Sequence, residues 1–444
     1  MWIKIAQLLL SLSLLVIIHE FGHFLFARLF KCRVEKFYLF FNPWFSLFKF
    51  KKGETEYGIG WVPFGGYVKI SGMIDESMDT EQLKKPVQPY EFRAKPAWQR
   101  LLIMVGGVLM NVVLAIFIYI GISYAYGDAY ISAKDAKYGF EFSELAREIG
   151  FRNGDKIVSV EGEPVDNYTD VILRIALDRA EYVDVERDGA TVRVEINPSF
   201  MPRILKAKEF LAPRVPFVVT EVEPGGHAER GGILAGDTVV GVNGVQAAFT
   251  GEVFAALADN RGKELTLDIV RDSAGVRQLV SRDVRVSDAG KIGVALAPMV
   301  DLIRVSTKEY NLFSAVPAGF RRAGDQIGNY LKQLKLMFSP KTEAYKQVGG
   351  FIAIGNIFPD TWSWYSFWSI TALLSIMLAV MNLLPIPALD GGHVMFLLYE
   401  VVTRRRPSDK FLEKAQMAGL FILLFLLLYA NGNDVVKLFN KWFS

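Results

Sequence analysis

The chain has 444 residues, a net charge of +3 and a hydrophobic fraction of 51%, with a mean hydropathy of +0.24. This length allows two or three domains, and the small charge, with no basic run interleaved with aromatics, argues against a nucleic-acid partner. The single cysteine, Cys32, excludes an intrachain disulfide and cysteine-based metal ligation, so any metal site must draw on the four histidines and the carboxylates.

Four apolar runs approach the roughly 20 residues that cross a bilayer. They are approximately Ile3–Phe30, Leu101–Tyr124, Trp364–Leu384 and Ala415–Tyr429. The first is too long for the apolar core of a signal peptide and lacks a small-x-small cleavage site. It also carries His19, Glu20 and His23 near its far end, so it reads as a retained helix. Lys4 alone precedes it, whereas Arg28, Lys31, Arg33 and Lys36 follow closely. Lys95 and Arg100 flank the second run, and Arg404, Arg405, Arg406 and Lys410 separate the third from the fourth. The positive-inside rule puts these residues on the cytoplasmic side, with both termini and residues 125–363 outside the cytoplasm.

Between the first two runs, Phe37–Phe41, Leu47–Phe50, Thr55–Ile59 and Gly66–Ser71 are short aromatic or β-branched segments. Asn42-Pro43, Lys52-Gly53 and Pro63 interrupt them, which predicts a small, unusually apolar β-sheet. Strand edges cannot face lipid, but they can line a protein cavity at membrane depth. A re-entrant sheet beside a site fits this, and a sheet lying on the membrane surface is the alternative.

The extramembrane segment repeats itself. Gly150-x-x-x-Gly154-Asp155-x-Ile157-Val158-x-Val160-x-Gly162 matches Gly232-x-x-x-Gly236-Asp237-x-Val239-Val240-x-Val242-x-Gly244. Each copy predicts a Gly-Asp turn, a β-branched strand and a second turn, giving two domains over 125–210 and 211–305. The pattern resembles PDZ domains of bacterial envelope proteases, which hold extended peptides at a sheet edge. A size filter for bulky ectodomains is an equally good expectation. In 306–363, Tyr310, Phe313, Phe320, Ile327, Leu331, Leu334 and Phe338 recur near helical spacing and predict an amphipathic helix returning the chain to the membrane. Gly349–Gly355 is too short to span, and is either a re-entrant segment or ordinary interfacial packing.

His19-Glu20-Phe21-Gly22-His23 is an H-E-x-x-H pattern. Positions i and i+4 share a helix face, so both imidazoles can reach one metal ion. Glu20 stands beside them, placed to take a proton from a metal-bound water. Zinc lowers the pKa of such a water from about 15.7 to about 7 and polarises a scissile carbonyl. Ionisable residues within a span are costly, which favours a functional reading over two structural histidines. A hydrolytic zinc site uses three protein ligands and keeps one position open. His19 lies about 22 Å into its span at about 1.5 Å per residue, nearer the cytoplasmic side. At that depth the third run ends in Asn382-Leu383-Leu384-Pro385-Ile386-Pro387-Ala388-Leu389-Asp390-Gly391-Gly392-His393. Asp390 is its only carboxylate, and His393 is a rival ligand on chemistry alone.

H-E-F-G-H in the first run with N-x-x-P-x-P-x-L-D-G-G-H in a later one resembles the site-2 protease family of intramembrane metalloproteases. The paired repeats point to its RseP-type bacterial branch. The resemblance implies a polytopic α-helical membrane protein of four spans (1–124 and 364–444), a membrane-associated β-sheet and two extracytoplasmic PDZ-like α/β domains. It implies Zn2+ held by His19, His23 and Asp390, with Glu20 as catalytic base. It implies substrate contacts at Asn382 and along the hairpin Phe64-Gly65-Gly66-Tyr67. Implied substrates are single-span membrane proteins in the bacterial inner membrane, either an anti-sigma factor in stress signalling or signal-peptide remnants. The competing readings are a non-catalytic PDZ membrane scaffold, a prenyl-protein-type membrane protease and a metal transporter. The second of these supplies a Glu as third ligand and lacks the repeats, and the third expects more metal-binding side chains in the other spans.

Overall fold

The computed structural model describes residues 2–73, 86–133, 136–207, 209–273, 275–337, 339 and 348–443. The chain divides into two compact units. One comprises Met1–Gly127, Glu309–Phe338 and Glu343–Ser444, and the other Asp128–Lys308 and Ser339–Thr342.

In the first unit, helix α1 (Trp2–Leu29) buries Gln7, Ser11, Leu15, His19, Gly22, His23 and Ala27. The near-constant step of four defines one interior face built from polar and small residues, while Leu9, Leu10, Ile17, Phe21 and Leu25 point outward. This inside-out pattern suits a helix whose solvent is hydrocarbon, where polar groups must be satisfied within the protein. Gln7 Nε2 accordingly donates to the Pro359 carbonyl at 3.0 Å, and Thr371 Oγ1 donates to Ser11 Oγ at 3.0 Å. Among the described residues, four helices are long and apolar enough to cross a membrane: Trp2–Leu29, Ala97–Tyr126 (α2), Trp364–Asn382 and the stretch Lys410–Lys437 of the C-terminal helix. That last helix, Asp409–Phe443, continues well past the predicted Ala415–Tyr429. Its extra turns carry Asn431 and Asp434, which accept backbone N–H groups of Gly350, Phe351 and Ala353 at 2.9–3.2 Å. The Gly349–Gly355 stretch is thereby held as a short helix, Phe351–Gly355.

Strands β1 (Val34–Phe41), β2 (Phe48–Lys52), β3 (Thr55–Ile59) and β4 (Val62–Ile70) form one sheet in the order β2-β3-β1-β4. Pro63 does not break the sheet as expected but lies inside β4. β4 is an edge strand, and its pairing with β1 is irregular between Leu39↔Gly66 and Phe41↔Val62, so a missing N–H is tolerated there. Ala27, Cys32, Val34, Val68, Ile70, Ile103 and Met104 share one core that fastens the sheet to α1 and α2. The amphipathic helix Leu312–Met337 packs on α2 through small residues, with Ala315, Ala318 and Ala323 buried. Its stripe residues Phe313 and Phe320 are exposed, and Phe338 lies outside the described residues.

The second unit contains the two copies of the repeat. Each has its own core, one drawn from Ala133–Leu211 and one from Phe217–Ile292. The strand Leu211–Pro213 pairs with Phe140–Phe142, so it belongs to the first copy rather than opening the second. The turns after the repeated strands place Glu161-Gly162 and Asn243-Gly244 at positive φ, the signature of tight hairpins. Arg187 donates through Nε and Nη2 to Asp155 at 2.8 and 2.7 Å and reaches the Gly150 carbonyl. Arg271 makes the same three bonds to Asp237 and Gly232. Both ends of the unit meet where Asp128–Ile131 pairs with Val305–Lys308.

Candidate metal centre

α1 and α2 run against each other at a glycine crossing. A Cβ built on Gly107 would lie 2.5 Å from His23 Nε2 and 2.6 Å from His19 Cε1. The absence of a side chain is what seats both imidazoles against α2. His23 Nδ1 is 2.8 Å from the Ile103 carbonyl, which accepts its proton and leaves Nε2 free to bind a metal.

The third run ends as a helix at Asn382, and the chain then turns through Leu383–Leu389. Ala388 has φ of 81°, a left-handed conformation rare outside glycine, and the next helix starts at Asp390. Side chains at Gly391 and Gly392 would collide with the backbone of Leu383, Ile386 and Pro387, so the Gly-Gly pair lets the turn fold onto the helix start. The result aims Asp390 at α1. His19 Nε2 and His23 Nε2 are 3.2 Å apart, and Asp390 Oδ2 lies 3.2 and 3.4 Å from them. Ligand atoms about 2.0–2.1 Å from a tetrahedral zinc ion stand about 3.3–3.4 Å apart, so this triangle has the dimensions of one face of a zinc site. Asp390 Oδ2 is buried with no hydrogen-bond partner among the described residues, which suits an atom that could hold a cation.

Among the described residues, His19, His23 and Asp390 form the one group of three that could hold a metal ion. His393 lies outside this triangle and lines the cavity beside it. Glu20 faces the same cavity, of about 470 Å³, whose walls include Gly66, Tyr67, Val68, Lys69 and Ile70 of β4. Among the described residues β4 pairs with no strand other than β1, and its Gly66–Ile70 stretch lines that wall. Gly65 and Asn382 line an adjoining cavity with His19 and Glu20, and Asn382 Nδ2 is 3.3 Å from His19 Nε2. The Tyr67 ring is stacked on Tyr38 and Phe41, and its hydroxyl donates to Asn42 Oδ1 at 2.9 Å.

Two features of α2 escape the sequence reading. One is the Gly106-Gly107 pair behind the histidines. The other is Asn111, the single amide or charged residue in Leu101–Tyr124, whose Nδ2 lies 3.2 Å from His19 Nδ1. A lone amide in an apolar run is itself a signal.

A family model described as Peptidase family M50 matches residues 7–426. The chain is 28% identical over 453 aligned positions to a protein of Neisseria meningitidis named "putative zinc metalloprotease", covering 96% of this chain and 98% of that one. It is 25% identical over 461 positions to the "regulator of sigma E protease" of Haemophilus influenzae, covering 98% and 99%. A Vibrio cholerae protein, also named "putative zinc metalloprotease", is 28% identical over 99% of both chains. With a family match that runs through both histidines and Asp390, the chain belongs to peptidase family M50, the site-2 protease family of zinc metalloproteases.

Proposed function

We propose that this metalloprotease is an intramembrane endopeptidase that hydrolyses peptide bonds in the transmembrane segments of single-span proteins. The observation that carries the reading is the triangle of His19 Nε2, His23 Nε2 and Asp390 Oδ2 on helices that suit a membrane interior. His19, His23 and Asp390 would hold a zinc ion, which when bound would supply Lewis-acid polarisation of a carbonyl and acidify water. Glu20, one residue from His19 and facing the same cavity, takes a proton from the attacking water and delivers it to the departing amide nitrogen. Asn382 turns an amide N–H toward the site, where it donates to the carbonyl oxygen as charge develops on it.

A helical substrate must unwind before it is cut, which frees backbone groups that hydrocarbon cannot satisfy. The stretch of β4 at Gly65–Tyr67 that lines these cavities supplies replacement partners and holds the strand extended beside Glu20. The two extramembrane repeats act as PDZ-like domains that bind or filter substrate ectodomains. Supporting this, the second copy has a cavity of about 480 Å³ along the sheet-edge strand Val294–Leu296, lined by Phe254, Leu257 and Ile292. The name of the Haemophilus influenzae relative favours an anti-sigma factor as substrate, with signal-peptide remnants as the other class. Both termini and the repeats lie outside the cytoplasm in a bacterial inner membrane. The test compares wild type with Glu20→Gln on a panel of single-span substrates. Wild type carries one zinc per chain and cleaves, and the variant keeps the zinc without cleaving. Equal cleavage by both, or wild type without stoichiometric zinc, sinks the reading.

A further inference from the structure

Asn111 is fully buried on α2, and its environment is chemically incomplete. Nδ2 points at His19 Nδ1 from 3.2 Å, while Oδ1 is buried with no partner among the described residues. On the far side of the same ring, His19 Nε2 looks into the triangle with His23 and Asp390. A neutral histidine that offers Nε2 to a metal carries its proton on Nδ1, which is then a donor and needs an acceptor. The NH2 end of an amide cannot accept. The carbonyl end can, and a half-turn about the Cβ–Cγ bond exchanges two ends of the same shape.

We infer that Asn111 is a positioning residue that accepts the Nδ1–H of His19 through Oδ1, thereby fixing the tautomer and aim of the Nε2 lone pair. This rests on the reading of His19, His23 and Asp390 as zinc ligands. The layout of α2 supports it. Ile103, Gly107 and Asn111 are spaced by four on one ridge, with Gly107 seating both rings. Ile103 accepts from His23 on one side, and Asn111 serves His19 on the other. The Asn111 backbone is itself clamped, since buried Ser375 donates Oγ–H to its carbonyl at 2.7 Å. Ser375 sits on the helix that ends at Asn382, so α2 and that helix are locked together at the residue that orients His19.

The test uses the full chain in detergent, with zinc affinity read by competition against a chromophoric chelator. Asn111→Leu removes the acceptor and weakens zinc binding about 10–100-fold, as loss of an outer partner does elsewhere. Asn111→Asp keeps an acceptor and stays within about threefold of wild type, the pattern of a carboxylate–histidine–metal relay. A Leu variant that binds as tightly as wild type, or an Asp variant as weak as Leu, overturns the inference. If the Leu variant does not fold, the Asp variant decides alone, since it must bind like wild type. A wild type that binds no zinc sinks the ligand set itself, an outcome distinct from failure of Asn111 alone.

Discussion

Gly22 of α1 and Gly106 of α2 pack backbone against backbone. A methyl group on Gly106 would lie 2.7 Å from the Gly22 carbonyl oxygen, and one on Gly22 would lie 2.8 Å from the Gly107 Cα. Gly22, the residue before the second histidine of the H-E-x-x-H segment, is therefore a crossing point, and the crossing holds the two histidines in reach of Asp390.

Gly107→Ala is expected to push His19 and His23 out of register. Overpacking of this kind costs about 1–3 kcal/mol, which here acts on ligand geometry and lowers zinc affinity by about tenfold or more. Gly121→Ala, on the same helix with nothing within 4 Å of the added methyl, leaves zinc binding unchanged. Chelator competition on the two variants checks the contrast.

Asp390→Asn is expected to abolish stoichiometric zinc and to lower peptidase activity by about 100-fold or more. His393→Ala retains the metal, because His393 lines the cavity without entering the ligand triangle. Zinc content after dialysis distinguishes them, and a metal-free His393→Ala protein would move the third ligand.

Arg271→Ala leaves the fully buried Asp237 without its counter-charge, and Arg187→Ala does the same to Asp155. Breaking a buried pair by removing one partner costs about 3–5 kcal/mol. The two copies have separate cores, so each variant loosens its own copy. Hydrogen exchange on the full chain is expected to rise in residues 217–296 for Arg271→Ala and in residues 136–213 for Arg187→Ala.

Glu141 carries a pH dependence at the joint between the copies. Burial raises its pKa above 4.5, outweighing the Gly251 N–H and Arg214 nearby, and Glu252 adds in the same upward direction. A raised carboxyl binds its proton more tightly folded than unfolded, so its contribution is most favourable below pH 4.5 and is lost as pH rises through the raised value. Glu141→Gln keeps an acceptor for Gly251, flattens that slope and raises stability at pH 7. Thermal unfolding between pH 4 and 7 measures it, and an unchanged slope would contradict the assignment.

The features legible in the sequence are those that one element contains by itself. His19 and His23 share a helix face because 3.6 residues make a turn, whatever surrounds them. The Gly-Asp repeat is legible because turn chemistry is local, and the long apolar runs because a bilayer sets their length. Pro63 misleads for the complementary reason: a proline is excluded from a ladder only where its neighbour needs the N–H, and edge position is not written in β4 itself.

Asp390 lies far along the chain from His23, and sequence chemistry leaves it level with His393, with only family resemblance to choose between them. The packing separates the two. The turn at Ala388 aims Asp390 at α1, while the glycines at 22, 106 and 107 bring the helices close enough for three ligand atoms to meet. The partners of Arg187, Arg271 and Asn111 are invisible for the same reason, since each is brought near by packing rather than by local spacing. Helix geometry alone put two candidate ligands on one face and a candidate base beside them. Convergence of the third, and the groups that orient the first two, depends on where separate elements cross, and only the tertiary structure decided that.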